Sequence, residues 1–494
     1  MVFNSLSFLI FFPIVVLIYF VIPKRARKYW LLVASYYFYM SWNAVYALLI
    51  LASTLVTYLS GILIQKAGTV SRRKWVVAGS FIINLGILFF FKYFDFLIDN
   101  INRVLNLADI SLITNPFSLV LPVGISFYTF QALSYTVDVY RGDVEAEKNF
   151  VKYALFVSFF PQLVAGPIER SKNLLSQVDE LDNRRLFEYD KVVSGFGMMC
   201  YGMFLKMVLA DHLAIFVDSV WDNLQTAGMT ACIFAAIAFS FQIYGDFAGY
   251  STIAIGAARI MGFDLMENFN TPYFATSIAN FWRKWHISLS TWFRDYVYIP
   301  LGGSRCSKVK KYRNLLITFL VSGLWHGANW TYVVWGGLHG FYQIVGDLLK
   351  PVREKARKLF NVNTEVTSFK LGQIIVTFAL TTFAWIFFKA SSLHEALFFI
   401  KTMLKRPDPW ALFDGSLYNY GIDTTDFHLL VVALLVVLIV DIIRYRRKVD
   451  VGEFLRSQNL WFRWLAYIAL IVGCLVYGAY GVNFDSTQFI YFQF

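Results

Sequence analysis

Three histidines lie in apolar stretches of the sequence where an imidazole could transfer protons. His326 and His339 lie within LWHGANWTYVVWGGLHG, residues 324–340, which otherwise consists largely of Trp, Leu, Val, Tyr and Gly. His286 lies upstream, within FWRKWHISLSTWFRDYVYIPLGG. Imidazole has a reference pKa near 6.5, so it can take up and return a proton close to neutral pH. Acid–base catalysis is therefore one explanation for these residues, and structural hydrogen bonding is the other.

His326 is predicted to lie deep in a membrane. It is thirteen residues beyond Arg313 (326 minus 313), which corresponds to roughly 20 Å of helix. A neutral ring at that depth needs partners for both nitrogens. Asn329, three residues further on, would share its helical face and could orient the ring, while Gly323 and Gly327 leave room for another backbone or a substrate chain. Catalytic and structural roles both remain open from these residues alone.

The segment around His286 combines aromatic and basic residues. Helical spacing places one set near one face, Trp282, Trp285, Leu289 and Phe293, and another set around a second face, Arg283, Lys284 and Arg294. An amphipathic helix at the level of the lipid headgroups would produce this pattern. A cytoplasmic mouth would also produce it, if Arg283 and Lys284 hold an anionic donor while His286 faces a cavity.

Other ionisable residues within apolar sequence have structural explanations. They are Lys92, Lys206, Asp211, His212 and Asp246. Lysines near a helix end can extend to the membrane surface, and the pair Asp211–His212 can mark a span boundary. Asp246 lies in YGDFAGYS, where the glycines predict an irregular turn. Such residues usually face a protein interior or mark a function, because a charge in hydrocarbon costs at least ~2.5–3.5 kcal/mol on insertion scales.

The composition excludes an ordinary soluble protein. Of 494 residues, 58% are hydrophobic and 15% charged, and the mean hydropathy is +0.55, whereas soluble domains have about 25% charged residues. The net charge of +12 collects in short loops and indicates membrane topology rather than nucleic-acid binding. The four cysteines are scattered without a CxxC pair, so no metal site or disulfide framework is predicted.

The chain is predicted to be an all-α, polytopic membrane protein with about ten to twelve spans plus re-entrant segments. Leu6–Ile22 is the first span and is retained, which places the N-terminus outside the cytoplasm; the C-terminus is also predicted to be outside. Residues 30–64 form a hairpin that turns near 41–43. Residues 153–168 are interrupted by prolines and a glycine and are interpreted as re-entrant. Residues 314–349 form a hairpin that contains both histidines of the opening motif.

These motifs resemble the membrane-bound O-acyltransferase (MBOAT) family, in particular its bacterial alginate O-acetylation branch. The similarity is carried by FWRKWHISLSTWFRDYVYIPLGG, by YRNLLITFLVSGLWHGANWTYVVWGGLHG, by FFPQLVAGPIER upstream, by the opening MVFNSLSFLIFFPIVVLIYF and by the ending FIYFQF. The resemblance implies one membrane domain over residues 1–494, with core motifs in 150–349, a C-terminal helical extension in 371–494, and helices arranged around a central funnel or tunnel.

The resemblance also implies residue roles. His326, in the WHG motif, would be the essential catalytic residue, and His286, in the WHIS position, the second functional histidine. His339 matches a GxxHG position where structural support is an alternative role. Arg283 and Lys284 remain candidates for binding the donor, and Asn329 a candidate for supporting His326.

We expect an acetyltransferase of the bacterial plasma membrane, surrounded by lipid. Acetyl-CoA or another cytosolic thioester would be the donor, without a tightly bound cofactor, a metal or a nucleic-acid partner. His326 would act as general base, or less favourably as a transient nucleophile. A separate extracytoplasmic acetyltransferase would complete transfer to a polysaccharide. The alternatives are transfer of D-alanine or another acyl group, a glycan or proton transporter, and a non-catalytic scaffold.

Overall fold

The chain folds into helices, as its composition predicts. The computed structural model describes residues 1–115, 117, 120–164, 166–183 and 187–479, and within these residues no β-strand is formed. In this described part of the chain, seven helices are long and apolar enough to cross a membrane, namely Ala44–Lys66, Val70–Lys92, Tyr189–Asp222, Met229–Ile260, Thr367–Lys389, Thr424–Arg447 and Leu460–Tyr477. The prediction of an all-α polytopic membrane protein is confirmed.

The predicted ten to twelve spans exceed these seven helices because the prediction also counted shorter or less apolar segments. It included shorter helices, such as Leu6–Val21 with 16 residues and Ile125–Arg141 with 17. It also included the hairpin over residues 314–349, whose first helix begins with basic residues. The predicted C-terminal position and the ending FIYFQF lie outside the described residues. The orientation of the N-terminus stays a prediction.

The chain forms two compact units, which comprise residues 1–196 with 253–266 and residues 197–252 with 267–494. The described residues of unit 1 form nine complete α-helices: α1 (Leu6–Val21), α2 (Arg27–Met40), α3 (Ala47–Lys66), α4 (Val70–Lys92), α5 (Phe94–Leu107), α6 (Ile125–Arg141), α7 (Phe150–Ser158), α8 (Phe160–Leu163) and α9 (Ser171–Asp179). The predicted hairpin turn is present between α2 and α3. There the Asn43 side chain accepts a hydrogen bond from the Val45 N–H at 3.0 Å and begins a short 3-10 turn.

The proline-containing segment at 153–168 is broken, as predicted. Helix α7 ends at Ser158 and α8 begins at Phe160. The freed Phe160 N–H donates to the Ser35 hydroxyl at 3.1 Å, so protein rather than lipid satisfies the interrupted backbone. Most of the segment is buried inside unit 1. Entry and exit on the same membrane face stay a prediction.

The remaining helices supply unit 2. They are α10 (Tyr189–Met203), α11 (Asp211–Asp222), α12 (Met229–Ile260), α13 (Ile278–Trp282), α14 (Ile287–Phe293), α15 (Lys308–His326), α16 (Trp330–Leu348), α17 (Lys350–Leu359), α18 (Thr367–Lys389), α19 (Leu393–Lys405), α20 (Thr424–Arg447), α21 (Val451–Arg456) and α22 (Leu460–Tyr477). Helices α10 and α12 have residues in both units. Two π-helical turns, Phe204–Ala210 and Arg294–Tyr298, follow α10 and α14, and 3-10 turns occupy Lys24–Ala26, Ala44–Tyr46, Glu180–Asp182, Pro272–Phe274, Pro409–Leu412 and Ser416–Asn419.

The predicted irregular turn at Asp246 is wrong, because α12 is a continuous helix of 32 residues. Its glycines serve close packing instead. A Cβ atom at Gly245 would lie 3.0 Å from the Leu205 carbonyl oxygen, and one at Gly249 would lie 2.8 Å from the Gly202 carbonyl oxygen. Glycine therefore allows α12 to contact the neighbouring backbone directly.

This close packing encloses an ionic cluster. The Lys206 ammonium lies 2.8 Å from an Asp211 carboxylate oxygen and 2.6 Å from an Asp246 oxygen, and all three side chains are buried. Lys206 belongs to the π-helical turn, a local widening of the helix that often occurs where a buried group must be accommodated. Three of the ionisable residues identified in apolar sequence, Lys206, Asp211 and Asp246, therefore stabilise one another.

Candidate active site

Helices α15 and α16 form a hairpin with direct backbone contact. A Cβ atom at Gly323 would lie 2.2 Å from the Tyr332 carbonyl oxygen, and one at Gly336 would lie 2.2 Å from the Phe319 carbonyl oxygen. The space predicted at Gly327 is also filled from within, because the Tyr332 ring lies 2.1 Å from the position of its missing Cβ. These glycines therefore leave room for the backbone or the aromatic ring of the facing helix.

His286 lies in a turn rather than within one continuous helix, so the predicted amphipathic helix is wrong in its backbone. Helix α13 ends at Trp282, α14 begins at Ile287, and His286 has φ 43° and ψ 56°. The left-handed conformation is uncommon for a non-glycine residue and is strained enough to require tertiary support. The aromatic face expected from the sequence is nevertheless buried.

The support comes from the segment around Asn268, which the sequence analysis did not identify. The Ile287 N–H donates to the Asn268 carbonyl at 2.9 Å. The Asn268 side-chain oxygen accepts hydrogen bonds from the Ser288 N–H at 3.3 Å and from the Ser288 hydroxyl at 2.6 Å. Its amide donates to the Ser251 hydroxyl at 3.0 Å. Asn268 therefore fixes the backbone that directly follows the turn, and no motif in the sequence pointed to it.

The two predicted catalytic histidines are brought together. The ring centroids of His286 and His326 are 6.4 Å apart, and the exposed fractions of the residues are 0% and 3%. Aromatic rings enclose His326, with centroids at 5.0 Å for Trp325, 4.9 Å for Trp335 and 5.4 Å for Phe388. Burial lowers the pKa of His286 to about 3, so this ring is neutral at physiological pH.

His339 lies near this pair, and the Trp335 ring contacts both His326 and His339. Its Nδ1 atom accepts a hydrogen bond from the Trp282 indole N–H at 3.2 Å, and its ring centroid lies 5.1 Å from that of Trp335. Asn329 has a different environment. Because α15 ends at His326, the shared helical face on which its predicted contact depended is not formed.

Asn329 instead begins the next helix. Its side-chain oxygen accepts a hydrogen bond from the Thr331 N–H at 3.0 Å, and its amide donates to the Ser391 carbonyl at 2.7 Å. This is a normal helix N-cap interaction. Asn329 is therefore placed to fix the connection between α15 and α16, and its functional role stays a prediction.

A cavity of about 1350 Å³ lies within unit 2. Its lining carries six basic side chains, Arg283, Arg294, Lys311, Lys350, Arg353 and Arg357, and one acidic side chain among the described residues, Asp347. Lys311 pairs with Asp347 at 2.8 Å, which raises the pKa of the lysine and lowers that of the carboxyl group. The cavity therefore has an excess of positive charge and suits an anionic ligand.

Arg283 and Lys284, both predicted to bind the donor, have different environments in the structure. Arg283 lines the cavity, whereas Lys284 is not among the described lining residues. The Lys284 ammonium donates to the Thr271 hydroxyl at 3.2 Å and lies 4.9 Å from the centroid of the Tyr445 ring. Partial burial lowers the pKa of Lys284. Arg283 is thus the member of the pair that can bind a ligand in the cavity.

The inner part of the cavity approaches the histidines. Ser322 lines it and lies four residues before His326 (326 minus 322), which corresponds to about 6 Å of helix. Trp282 also lines it and donates the hydrogen bond to His339. Among the described residues of the lining, neither His286 nor His326 is present. The lining of this cavity therefore stops about one helical turn short of His326.

The described residues contain no group of three or more His, Cys, Asp or Glu side chains placed to hold a metal ion. The polar groups that surround His326 include imidazole and indole groups, and a basic cavity lies beside them. A polytopic helical protein with such an enclosed histidine pair has the features of a membrane-embedded group-transfer enzyme.

Residues 144–393 match the model of MBOAT, the membrane-bound O-acyltransferase family, and the chain belongs to this family. It is 41% identical to the probable alginate O-acetylase AlgI of Pseudomonas syringae, over 80% of this chain and 74% of the relative. It is 35% identical to the peptidoglycan O-acetyltransferase of Helicobacter pylori, over 82% and 80%. It is 26% identical to the teichoic acid D-alanyltransferase of Bacillus subtilis, over 57% and 71%.

The expected family is confirmed, and the protein is a multi-pass membrane O-acyltransferase. The individual roles assigned to His326, His286, His339, Arg283 and Asn329 stay predictions. The geometry indicates which of these side chains can cooperate, because His286 lies beside His326 and the Trp335 ring contacts both His326 and His339.

Proposed function

We propose that the protein transfers an acetyl group from a cytosolic thioester for the O-acetylation of an extracellular polysaccharide. The observation that carries this proposal is a basic cavity that reaches within about one helical turn of His326. Two relatives named for acetyl transfer are 41% and 35% identical, whereas the D-alanyltransferase relative is 26% identical. These similarities support acetyl over D-alanyl transfer and a glycan as the final acceptor.

Acetyl-CoA is the proposed donor. Its phosphates carry several negative charges, and six basic side chains line the cavity. Arginine binds phosphate through paired, charge-assisted hydrogen bonds, and Arg283 is the basic lining residue nearest in sequence to the His286 turn. The phosphates would remain in the wide basic part, while the thioester end would pass Ser322 toward His326.

His326 acts in this proposal as the general base. It accepts the proton of an acceptor hydroxyl as the oxygen attacks the thioester carbonyl. Collapse of the tetrahedral intermediate breaks the carbon–sulfur bond and leaves an oxygen ester, and the proton passes from His326 to the departing thiolate. His286, neutral and beside His326, binds or orients the reacting groups.

The position of His326 inside the protein suits transfer of the acetyl group across a bacterial plasma membrane. Acetyl-CoA would bind from the cytoplasm, and the acceptor hydroxyl would belong to the polysaccharide or to a carrier on the outer side. A separate extracytoplasmic acetyltransferase is the proposed partner that completes transfer to sugar. Membrane lipid would surround the seven apolar helices.

Reconstituted protein tests the proposal directly. Vesicles containing the wild-type protein, acetyl-CoA, the extracytoplasmic acetyltransferase partner and an acceptor polysaccharide should form thiol and oxygen ester, detected by thiol titration and by mass spectrometry of the polymer. His326→Ala should reduce turnover by about 10²–10⁴-fold, because this is the contribution that a general base typically makes. His394→Ala, at an exposed histidine, should have no effect.

The product mass distinguishes acetyl, D-alanyl and longer acyl groups. Turnover by His326→Ala equal to that of the wild type would contradict the assigned base. Glycan movement without ester formation would instead support a transporter.

A further inference from the structure

One face of α16 carries three buried polar side chains. Thr331, Trp335 and His339 follow one another at intervals of four residues, which places them in line along the helix. All three are fully buried, with exposed fractions of 0%. Trp335 is the central member, and its ring centroid lies 4.9 Å from that of His326 and 5.1 Å from that of His339.

Each of these side chains has a polar atom without a hydrogen-bond partner among the described residues: the Thr331 hydroxyl, the Trp335 indole nitrogen and the His339 Nε2 atom. Leaving a buried donor unsatisfied costs about 1–3 kcal/mol, so buried polar groups without partners are rare in folded proteins. Here three such polar groups lie along one helix face beside the proposed base. They indicate that oxygen atoms of a substrate or of water occupy this face during the reaction.

The hydrogen-bond geometry determines the character of two of these atoms. The indole nitrogen of Trp335 is a donor only. The Nδ1 atom of His339 accepts the hydrogen bond of Trp282, so the proton of the neutral ring lies on Nε2. The Trp335 Nε1–H and the His339 Nε2–H are therefore both donors.

We propose that Trp335 and His339 donate hydrogen bonds to the acyl carbonyl oxygen as it becomes negatively charged. This inference rests on the proposed acyl transfer. When the acceptor oxygen attacks the thioester, the carbonyl π electrons move onto this oxygen, and they return when the carbon–sulfur bond breaks. Two N–H donors held in a water-excluded interior stabilise that charge without reorganisation, and such a donor accelerates reactions by about 10²–10³-fold.

Trp335→Phe tests the donor with a conservative change, because it removes the N–H and keeps an aromatic ring. We expect kcat to fall about 100-fold, while KM for acetyl-CoA changes little and the pH dependence of kcat, which belongs to His326, is unchanged. A purely structural role would lower thermal stability and alter KM or the pH dependence together with kcat.

Trp221→Phe is the matched control. Trp221 is 6% exposed, its indole nitrogen also lacks a partner among the described residues, and its ring packs on Phe399 at 4.1 Å, away from the histidines. This variant should retain wild-type kcat. Equal kcat values for the two variants would overturn the inference.

Three further variants keep the test decisive if Trp335→Phe folds poorly. Replacement of Trp335 by 3-benzothienylalanine exchanges only the N–H for sulfur and should give the same loss of kcat. His339→Gln can still accept from Trp282 and donate, so it should retain more activity than His339→Leu. Wild-type activity with benzothienylalanine would exclude the role of the indole N–H, whereas an inactive wild-type protein would contradict the proposed function itself.

Discussion

Gly336 is the position where a single methyl group should separate the two helices that carry the histidines. Its Cβ atom in Gly336→Ala would lie 2.2 Å from the Phe319 carbonyl oxygen and 3.2 Å from the Gly323 Cα atom. The closest ordinary carbon–oxygen contacts are about 3.3–3.6 Å, so α15 and α16 must move apart by about 1 Å. Neither contact partner is the flexible end of a side chain, and the backbone has to yield.

The displacement acts on His326 at the end of α15 and on Trp335 and His339 within α16. A misplacement of about 1 Å between reacting groups can cost about 100-fold in rate, and overpacking costs about 1–3 kcal/mol of stability. We expect Gly336→Ala to lower kcat for acetyl-CoA-dependent ester formation by about this factor and to lower the melting temperature in detergent.

The neighbouring glycine provides the control. In Gly337→Ala the nearest atom to the new Cβ is the Leu320 Cδ2 atom at 3.5 Å, an ordinary contact, and alanine favours the helix by up to about 1 kcal/mol. This variant should keep wild-type kcat and stability. If Gly336→Ala behaves like Gly337→Ala, backbone contact does not set the spacing of the hairpin, and the argument fails.

Three further predictions concern charged residues. Arg283→Glu should raise KM for acetyl-CoA roughly tenfold or more, since a hydrogen bond to a charged group contributes about 1.5–3 kcal/mol, whereas Lys284→Glu should change KM much less; equal effects would show that the cavity does not select Arg283. Lys206→Met should destabilise the fold by about 3–5 kcal/mol because it leaves buried carboxylates uncompensated, while Asp211→Asn leaves a one-to-one ion pair and should retain the melting temperature; the reverse order would refute this charge balance. Burial raises the pKa of Glu169 to about 7, above 4.5 for the exposed group. Between these pH values the folded protein retains a proton that the unfolded chain has lost, so stability should fall as pH rises through this window, by on the order of 3 kcal/mol. Glu169→Gln should flatten that part of the melting-temperature profile, and an unchanged slope would contradict the prediction.

The helical architecture was predictable because it depends on local properties of the sequence. Apolar run length and basic loops identify membrane helices whatever their neighbours are, and the turn near Asn43 follows from its capping preference. The continuity of α12 was not predictable in this way. Glycines near Asp246 fit either a turn or a close helix contact, and only the neighbouring backbone decides between them.

The candidate active site could be predicted from the sequence only in part, for the same reason. The pattern of Trp282, Trp285 and Leu289 correctly indicated a buried face, but its helical period continued through a break in the backbone. That break depends on hydrogen bonds with Asn268, which is distant in sequence. The proximity of His286 to His326 could be expected from family resemblance but not from the spacing of the residues.

The burial of the histidines has a chemical consequence for a thioester donor. A base that removes a proton from an alcohol also removes one from water, so an open site would hydrolyse the activated acyl group. Trp325, Trp335 and Phe388 enclose His326, and the cavity lining extends to Ser322, about one helical turn away. Access that depends on movement of side chains near Ser322 would bring the base and the thioester together only when the donor occupies the cavity, which favours transfer to a bound hydroxyl over loss to solvent.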